Sequence, residues 1–202
     1  MLAPGGSALA ERSGKGVVAV HLILTAVNTF IIAVLILYAA ITTTIVPGVA
    51  ALYPATAFEV LFGIWFGVWG AIASYLGLLA AGLYAGWFPS PGVGAVLSVS
   101  DFLAAFLPYL VFKAMKADPE LKSKRDWAAY ILGGVILSSL PGSLYYNYLN
   151  LMMGQLRTWD EFWLGVYSWN VGNYIVVLVI TTPLLKAVTR FIPRPLLSLR
   201  RY

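Results

Sequence analysis

Residues Tyr53 to Gly86, YPATAFEVLFGIWFGVWGAIASYLGLLAAGLYAG, limit this chain more than any other stretch. Glu59 is the single charged side chain in the run, and the rest is apolar, aromatic or small. Such faces are suited to lipid or to a protein interior within lipid. As one straight helix, roughly 34 residues at about 1.5 Å each would reach about 50 Å, well past a hydrocarbon core of about 30 Å. The sequence therefore predicts one fold-back, at Phe66-Gly67-Val68-Trp69-Gly70, where two glycines permit a tight turn and Trp69 suits an interface. Two short helices result. Gly63 and Gly67 lie on the first, and Gly70, Ala73, Gly77, Ala81 and Ala85 on the second. Small residues four apart let backbones approach closely in a membrane, either within the bundle or against a partner docking on Gly77, Ala81 and Ala85.

Composition narrows the class further. Of 202 residues, 60% are hydrophobic and 10% charged, against about 25% charged in soluble domains. This predicts an all-α polytopic membrane bundle with its function inside the bundle. The net charge of +5 collects at the termini and in one loop, with no aromatic-interleaved basic patch, which argues for membrane topology and against nucleic acid. A chain with Cys 0 and His 1 has no thiol nucleophile, thiolate metal site or histidine cluster, and Met 4 makes a thioether copper route a poor fit. No metal and no cofactor is expected. Motifs for hydrolysis, phosphate cradling or an ion-selectivity filter are also missing, so an enzyme is not expected.

Taken in order, residues 1–16 read as a polar cytoplasmic leader, residues 17–190 as six transmembrane helices, and residues 191–202 as a basic cytoplasmic tail. Helix one covers about Val17 to Val46, with His21 as an interfacial hydrogen-bonder and Thr25, Asn28 and Thr29 able to bond across helices. Helix two starts near Thr56 and helix three runs from Gly70 to Trp87. Helix four runs from Ala95 to Met115, kinked by Pro108. Lys116 to Asp126 is a charged loop. Helix five extends from Trp127 to Asn150, interrupted at Ser138-Ser139-Leu140-Pro141-Gly142-Ser143, and helix six from Glu161 to Lys186. Basic residues fall in three clusters, around Arg12, around Lys113 to Arg125, and from Lys186 onward. Six crossings put all three on the cytoplasmic side, with both termini there; a single helix over Tyr53–Gly86 would not.

That orientation places Glu59, Asp101, Tyr145, Tyr146, Asn147, Asn150, Trp163, Tyr167, Trp169, Asn170 and Asn173 in the outer half of the bundle. Aromatic rings beside amides and carboxylates can stack on a flat ligand and bond its edges, so these residues are the candidate substrate site. Glu59, Asp101, Asn170 and Asn173 are expected to line one cavity. An intramembrane carboxylate costs about 2.5 to 3.5 kcal/mol on insertion scales, which favours interior placement. Tyr145, Tyr148, Trp159 and Trp163 fit an interfacial aromatic belt equally well. Arg157 is a candidate ion-pair partner for one carboxylate.

Phe62-Gly63 with Phe66-Gly67-Val68-Trp69-Gly70-Ala71, Asp101-Phe102-Leu103 through Leu107-Pro108-Tyr109, and Trp169-Asn170-Val171-Gly172-Asn173 with Thr182-Pro183-Leu184-Leu185 resemble the substrate-binding S components of energy-coupling factor transporters. The resemblance covers about Val17 to Arg190. It implies a six-helix bundle that captures a vitamin or similar micronutrient from outside and delivers it through a membrane scaffold subunit and two cytoplasmic ATPases. Ligand contacts would come from Val46–Pro54, Ser98–Asp101, Tyr145–Asn150 and Trp163–Asn173, and Ala81 and Ala85 match the family's Ala-x-x-x-Ala docking pattern. Helix one has no such pair, and the Met-His start of nickel and cobalt members is absent. Two other readings are an integral membrane sensor that binds a ligand without moving it and a structural assembly factor with no ligand.

Overall fold

The computed structural model describes residues 5–42, 44–46, 49–50 and 52–200, the side chains of residues 5–15, 44, 46 and 200 excepted. The first leader residues, the Pro47-Gly48 pair and the last two tail residues lie outside the described residues. Among the described residues the chain is all-α but for one minimal antiparallel pairing. Helix α1 spans Gly5–Thr42. It begins earlier and ends sooner than the predicted 17–46: Ala, Glu, Arg and Lys before residue 17 are good helix formers, whereas the β-branched run Thr42–Val46 favours extended backbone. That run becomes β1 (Thr44–Val46), paired with β2 (Val49–Ala50).

Helix α2 (Ala55–Phe66) and helix α3 (Val68–Tyr84) are separated by one residue, Gly67, at φ +61°. The break falls inside the predicted fold point. A side chain at Gly67 would be strained by its dihedral and would meet Ser198 Oγ at 2.9 Å. Contacts show that the chain reverses there. His21 lies against Trp69, ring centroids 5.8 Å apart, Thr29 donates to the Ala73 carbonyl at 3.4 Å, and a Cβ on Gly77 would touch Ile32 at 2.5 Å. Helices α1 and α3 thus run in the same direction and pack on each other, and α2 runs back the opposite way.

Ser90 caps helix α4 (Pro91–Leu97), accepting from the Val93 N–H at 3.3 Å with Pro91 in the first turn. Helix α5 (Val99–Ala114) continues it and carries Pro108 inside. A capping box of Ser123 and Asp126 starts helix α6 (Lys124–Ala129). A π-helical segment, Tyr130–Leu137, leads into helix α7 (Ser138–Met152). Helix α8 (Trp159–Val176), capped by Thr158, passes through a second π segment, Val177–Thr181, into helix α9 (Thr182–Val188). Short 3₁₀ turns over Thr189–Phe191, Arg194–Leu196 and Ser198–Arg200 finish the described chain.

The predicted interruption at Ser138–Ser143 is corrected: α7 runs through Pro141 without a break. A proline cannot donate to the carbonyl four residues back, which here is Leu137, the last residue of the π segment. The ladder has already changed register upstream, so the defect is spread over a wider turn. Pro183 follows the second π segment in the same way. Tyr130 ties the two segments together, donating to the Val177 carbonyl at 2.8 Å with its oxygen 3.0 Å from Thr182 Oγ1. Nearby, Thr181 Oγ1 donates to the Ala57 carbonyl at 2.9 Å. In a bilayer the loosened backbone has no water to turn to, so these side chains complete it.

Among the described residues, four helical stretches are long and apolar enough to cross a membrane: Gly16–Thr42, Pro91–Ala114, Lys124–Met152 and Trp159–Phe191. Helices α2 and α3 are shorter apolar helices.

Candidate functional site

A cavity of about 370 Å³ opens where α1 ends and α2 begins, within the size range of small-molecule sites. Ile36 and Ala40 of α1, Val49 and Ala50 of β2, Leu78 of α3 and Leu97 of α4 form apolar walls. Aromatic walls come from Tyr53, Trp87, Phe88, Tyr146 and Trp169. Trp169 sits between two tyrosines, with ring centroids 6.1 Å from Tyr53 and 5.3 Å from Tyr146. Asn150, Gln155 and Asn173 supply the amides. None of the lining residues is charged.

Local sequence explains how these side chains converge. On α7, Tyr146 and Asn150 are four apart, and on α8 so are Trp169 and Asn173, so each pair shares a helix face. The helices themselves are fastened by amides and serines. Asn173 Nδ2 donates to Ser139 Oγ at 3.3 Å, and Asn170 Nδ2 donates to Ser143 Oγ at 2.8 Å and to the Val166 carbonyl at 2.7 Å. Asn147 Nδ2 donates to the Ser143 carbonyl at 2.9 Å, and its Oδ1 lies where a Cβ on Gly165 would fall. Three amide atoms here are buried and without a hydrogen-bond partner among the described residues: Asn147 Oδ1, Asn150 Nδ2 and Asn170 Oδ1.

Of the residues expected to form the site, Tyr146, Asn150, Trp169 and Asn173 line the cavity. Asn147 and Asn170 instead turn into the α7–α8 seam. Tyr145 donates to the Val96 carbonyl at 2.8 Å and bridges α7 to α4. Trp163 and Tyr167 face outward, 57% and 68% exposed, on the opposite stripe of α8. Both carboxyls are 1% exposed, and neither lines the cavity. Asp101 is reached through Tyr53, whose hydroxyl donates to Asp101 Oδ2 at 2.9 Å. At this contact the Tyr53 hydroxyl is the donor and the carboxyl the acceptor. Glu59 lies deeper, against Asp101. The single cavity shared by Glu59, Asp101, Asn170 and Asn173 is thus corrected, with Asn173 alone of the four on its wall. A helix apolar on nearly every side does not announce which face its polar residue will take.

Arg157 is exposed, and its backbone N–H donates to Glu161 Oε2 at 2.6 Å. No ion pair joins it to Glu59 or Asp101 among the described residues. Gly77 packs on Ile32 and Ala81 is buried in the core, so the chain itself covers both, while Ala85 remains exposed. Composition had not singled out Ile36, Leu78 or the Trp87-Phe88-Pro89 corner as wall residues. Trp87 and Phe88 beside a helix-ending glycine were the available signal.

The electrostatics favour a neutral ligand surface. The aromatic rings in the wall suit a flat molecule, and the buried Asn150 Nδ2 beside Tyr146 suits an acceptor on its edge. Compared with protein-family models, with curated proteins and with solved structures, the chain shows no significant match to any of them.

Proposed function

We propose that this chain is a membrane-embedded solute-binding subunit that crosses the bilayer six times and captures a vitamin-sized, largely neutral micronutrient from outside. On this reading it delivers the solute through a membrane scaffold subunit and two cytoplasmic ATPases, as the S components of energy-coupling factor transporters do. The observation that carries the proposal is the uncharged aromatic cavity with an unpartnered buried amide in its wall.

Charge supports the direction. The cavity end of the bundle carries Arg157 beside Asp160 and Glu161. The far end carries Lys113, Lys116, Lys122, Lys124, Arg125, Lys186, Arg190 and Arg194. By the positive-inside rule the far end is cytoplasmic and the cavity opens outward. The shortness of α2 also fits. Its 12 residues reach about 18 Å, and the depth it leaves uncovered is where Leu52–Pro54 and the cavity lie. Irregular backbone is tolerated at membrane depth where it lines a cavity.

Mass spectrometry of small molecules retained by the gently purified full chain, followed by melting curves with a vitamin panel, tests the proposal. One compound should raise the melting temperature of the wild type, with stabilisation near 2.7 kcal/mol at about 100 times its Kd, and lose most of that effect in Trp169→Ala. Co-purification with an ATPase pair supports delivery, whereas a signalling partner indicates sensing. A chain that retains nothing and responds to no compound is not a solute-binding subunit.

A further inference from the structure

The cavity leaves the two buried carboxyls without a role. Among the described residues no donor reaches either oxygen of Glu59, and its carboxyl lies against that of Asp101 across the α2–α5 contact. Asp101 is better served. Its Oδ2 accepts from the Tyr53 hydroxyl, and its Oδ1 lies 3.0 Å from Ser100 Oγ. The single Ser100 hydroxyl hydrogen is also drawn to the Leu97 carbonyl at 2.9 Å. No ion pair reaches either carboxyl among the described residues. The other titratable groups bearing on the pair are Tyr53, from the loop before α2, and Tyr146, from α7. Among the described residues, α1, α3, α8 and the second π segment bring no acid or base to it.

A carboxylate only accepts hydrogen bonds, so two facing carboxylates leave nothing to bind between them but a proton or a cation. Two like charges buried side by side cannot both persist, and an anion with no donor at this depth is costly. We propose that Glu59 and Asp101 form a proton-binding site in which Glu59 holds one proton and donates it to Asp101, and that Tyr53 links this site to the cavity. The Tyr53 hydroxyl binds the far oxygen of Asp101 while its ring forms the cavity wall beside Trp169. Loss of the proton sets two anions against each other, with Tyr53 as their nearest phenolic donor. The wall then moves with the proton. The consequence for solute release rests on the solute-binding reading, but the proton site does not.

Infrared spectroscopy of the full chain in lipid nanodiscs tests the site without any solute. The wild type should show the carbonyl stretch of a protonated, buried carboxylic acid. Glu59→Gln should remove that band while keeping an N–H donor for Asp101, and so should melt no lower than the wild type. Asp101→Asn should shift the band, because the acceptor changes. Raising pH until the band disappears should change Trp169 emission, identified by its loss in Trp169→Phe, and Tyr53→Phe should abolish the change. A wild type without the band, or a band that survives unaltered in Glu59→Gln, overturns the site. A sodium-dependent rise in melting temperature that Glu59→Gln removes overturns it in favour of a cation. Trp169 emission that ignores the loss of the band overturns the link through Tyr53. Each result stands whether or not any solute binds.

Discussion

Gly63→Ala is the sharpest probe of how the bundle is held together. A Cβ at Gly63 would overlap the Ala105 carbonyl oxygen and lie 2.7 Å from its carbon and 3.0 Å from the Ala105 Cα. All three are backbone atoms of α5, so no rotamer can yield. To bring the carbonyl carbon out to ordinary contact at 3.4 Å, α2 and α5 must separate by about 0.7 Å, and the oxygen demands more. Inserting a methyl group into a packed interior costs about 1–3 kcal/mol, and a backbone neighbour puts this site at the upper end. Alanine regains about 0.5–1 kcal/mol of helix propensity. The net loss of about 1–2 kcal/mol lowers the folded-to-unfolded ratio by about 5–30-fold. Reversible unfolding in mixed micelles, titrated with a denaturing detergent, reads that loss as a lower midpoint. Gly16→Ala is the control, because nothing lies within 4 Å of its added Cβ, and it should be neutral or slightly stabilising. Equal midpoints for the two variants would refute close backbone contact between α2 and α5. The same separation should disturb the carboxyl pair, since Glu59 and Asp101 lie one helical turn from Gly63 and Ala105 on their respective helices.

Three further substitutions test the supporting contacts. Tyr130→Phe keeps the ring but removes the donor to the Val177 carbonyl; it should cost about 1–3 kcal/mol and speed amide exchange in the second π segment, and unaltered exchange would count against the tie. Trp65→Phe deletes the 2.8 Å bond from Nε1–H to Thr189 Oγ1, so about 0.5–1.5 kcal/mol should be lost, with faster proteolysis after Thr189 as the readout. Gly165→Ala drives a methyl group into Asn147 Oδ1 and should lower the melting temperature by an overpacking cost of about 1–3 kcal/mol, whereas a wild-type melting curve would mean the α7–α8 seam is looser than described.

The fold-back was legible because a turn in a run of apolar residues needs glycine, and Gly67 is the one residue between α2 and α3. The end of the bundle that holds the cavity was legible too, since amides and aromatic residues gather in the outer halves of the predicted helices. Direction around each helix was not. Trp and Tyr suit both a pocket and an interface, and on α8 they divide: Trp163 and Tyr167 point outward while Trp169 joins the cavity. The exposed stripe Trp159, Trp163, Tyr167 and Val171 has four-residue spacing, against buried Phe162, Val166 and Asn170. That periodicity was present in the sequence, but Gly165 and Gly172, buried as well, carry no hydropathy signal of their own. The π segments were illegible for another reason. A proline marks a missing donor, and only the packed neighbours decide whether the helix breaks or widens.

Unmet hydrogen bonds bear on the proposed choice between a binding protein and a scaffold. The buried side-chain atoms without partners among the described residues belong to Thr56, Glu59, Asn147, Asn150 and Asn170. Thr56 and Glu59 lie in the first half of α2, Asn147 and Asn150 in the last two turns of α7, and Asn170 within α8. Buried polar groups toward the other end are paired: His21 with the Val17 carbonyl, Trp65 with Thr189, Tyr130 with the Val177 carbonyl, and Ser138 with the Gly134 carbonyl. An unmet polar group in hydrocarbon costs several kcal/mol, and a bundle needing only cohesion loses stability with each one it keeps. On the proposed reading a solute meets the Asn150 amide, the one of the three that stands on the cavity wall, and a proton meets the carboxyl pair, while Asn147 and Asn170 stay in the α7–α8 seam.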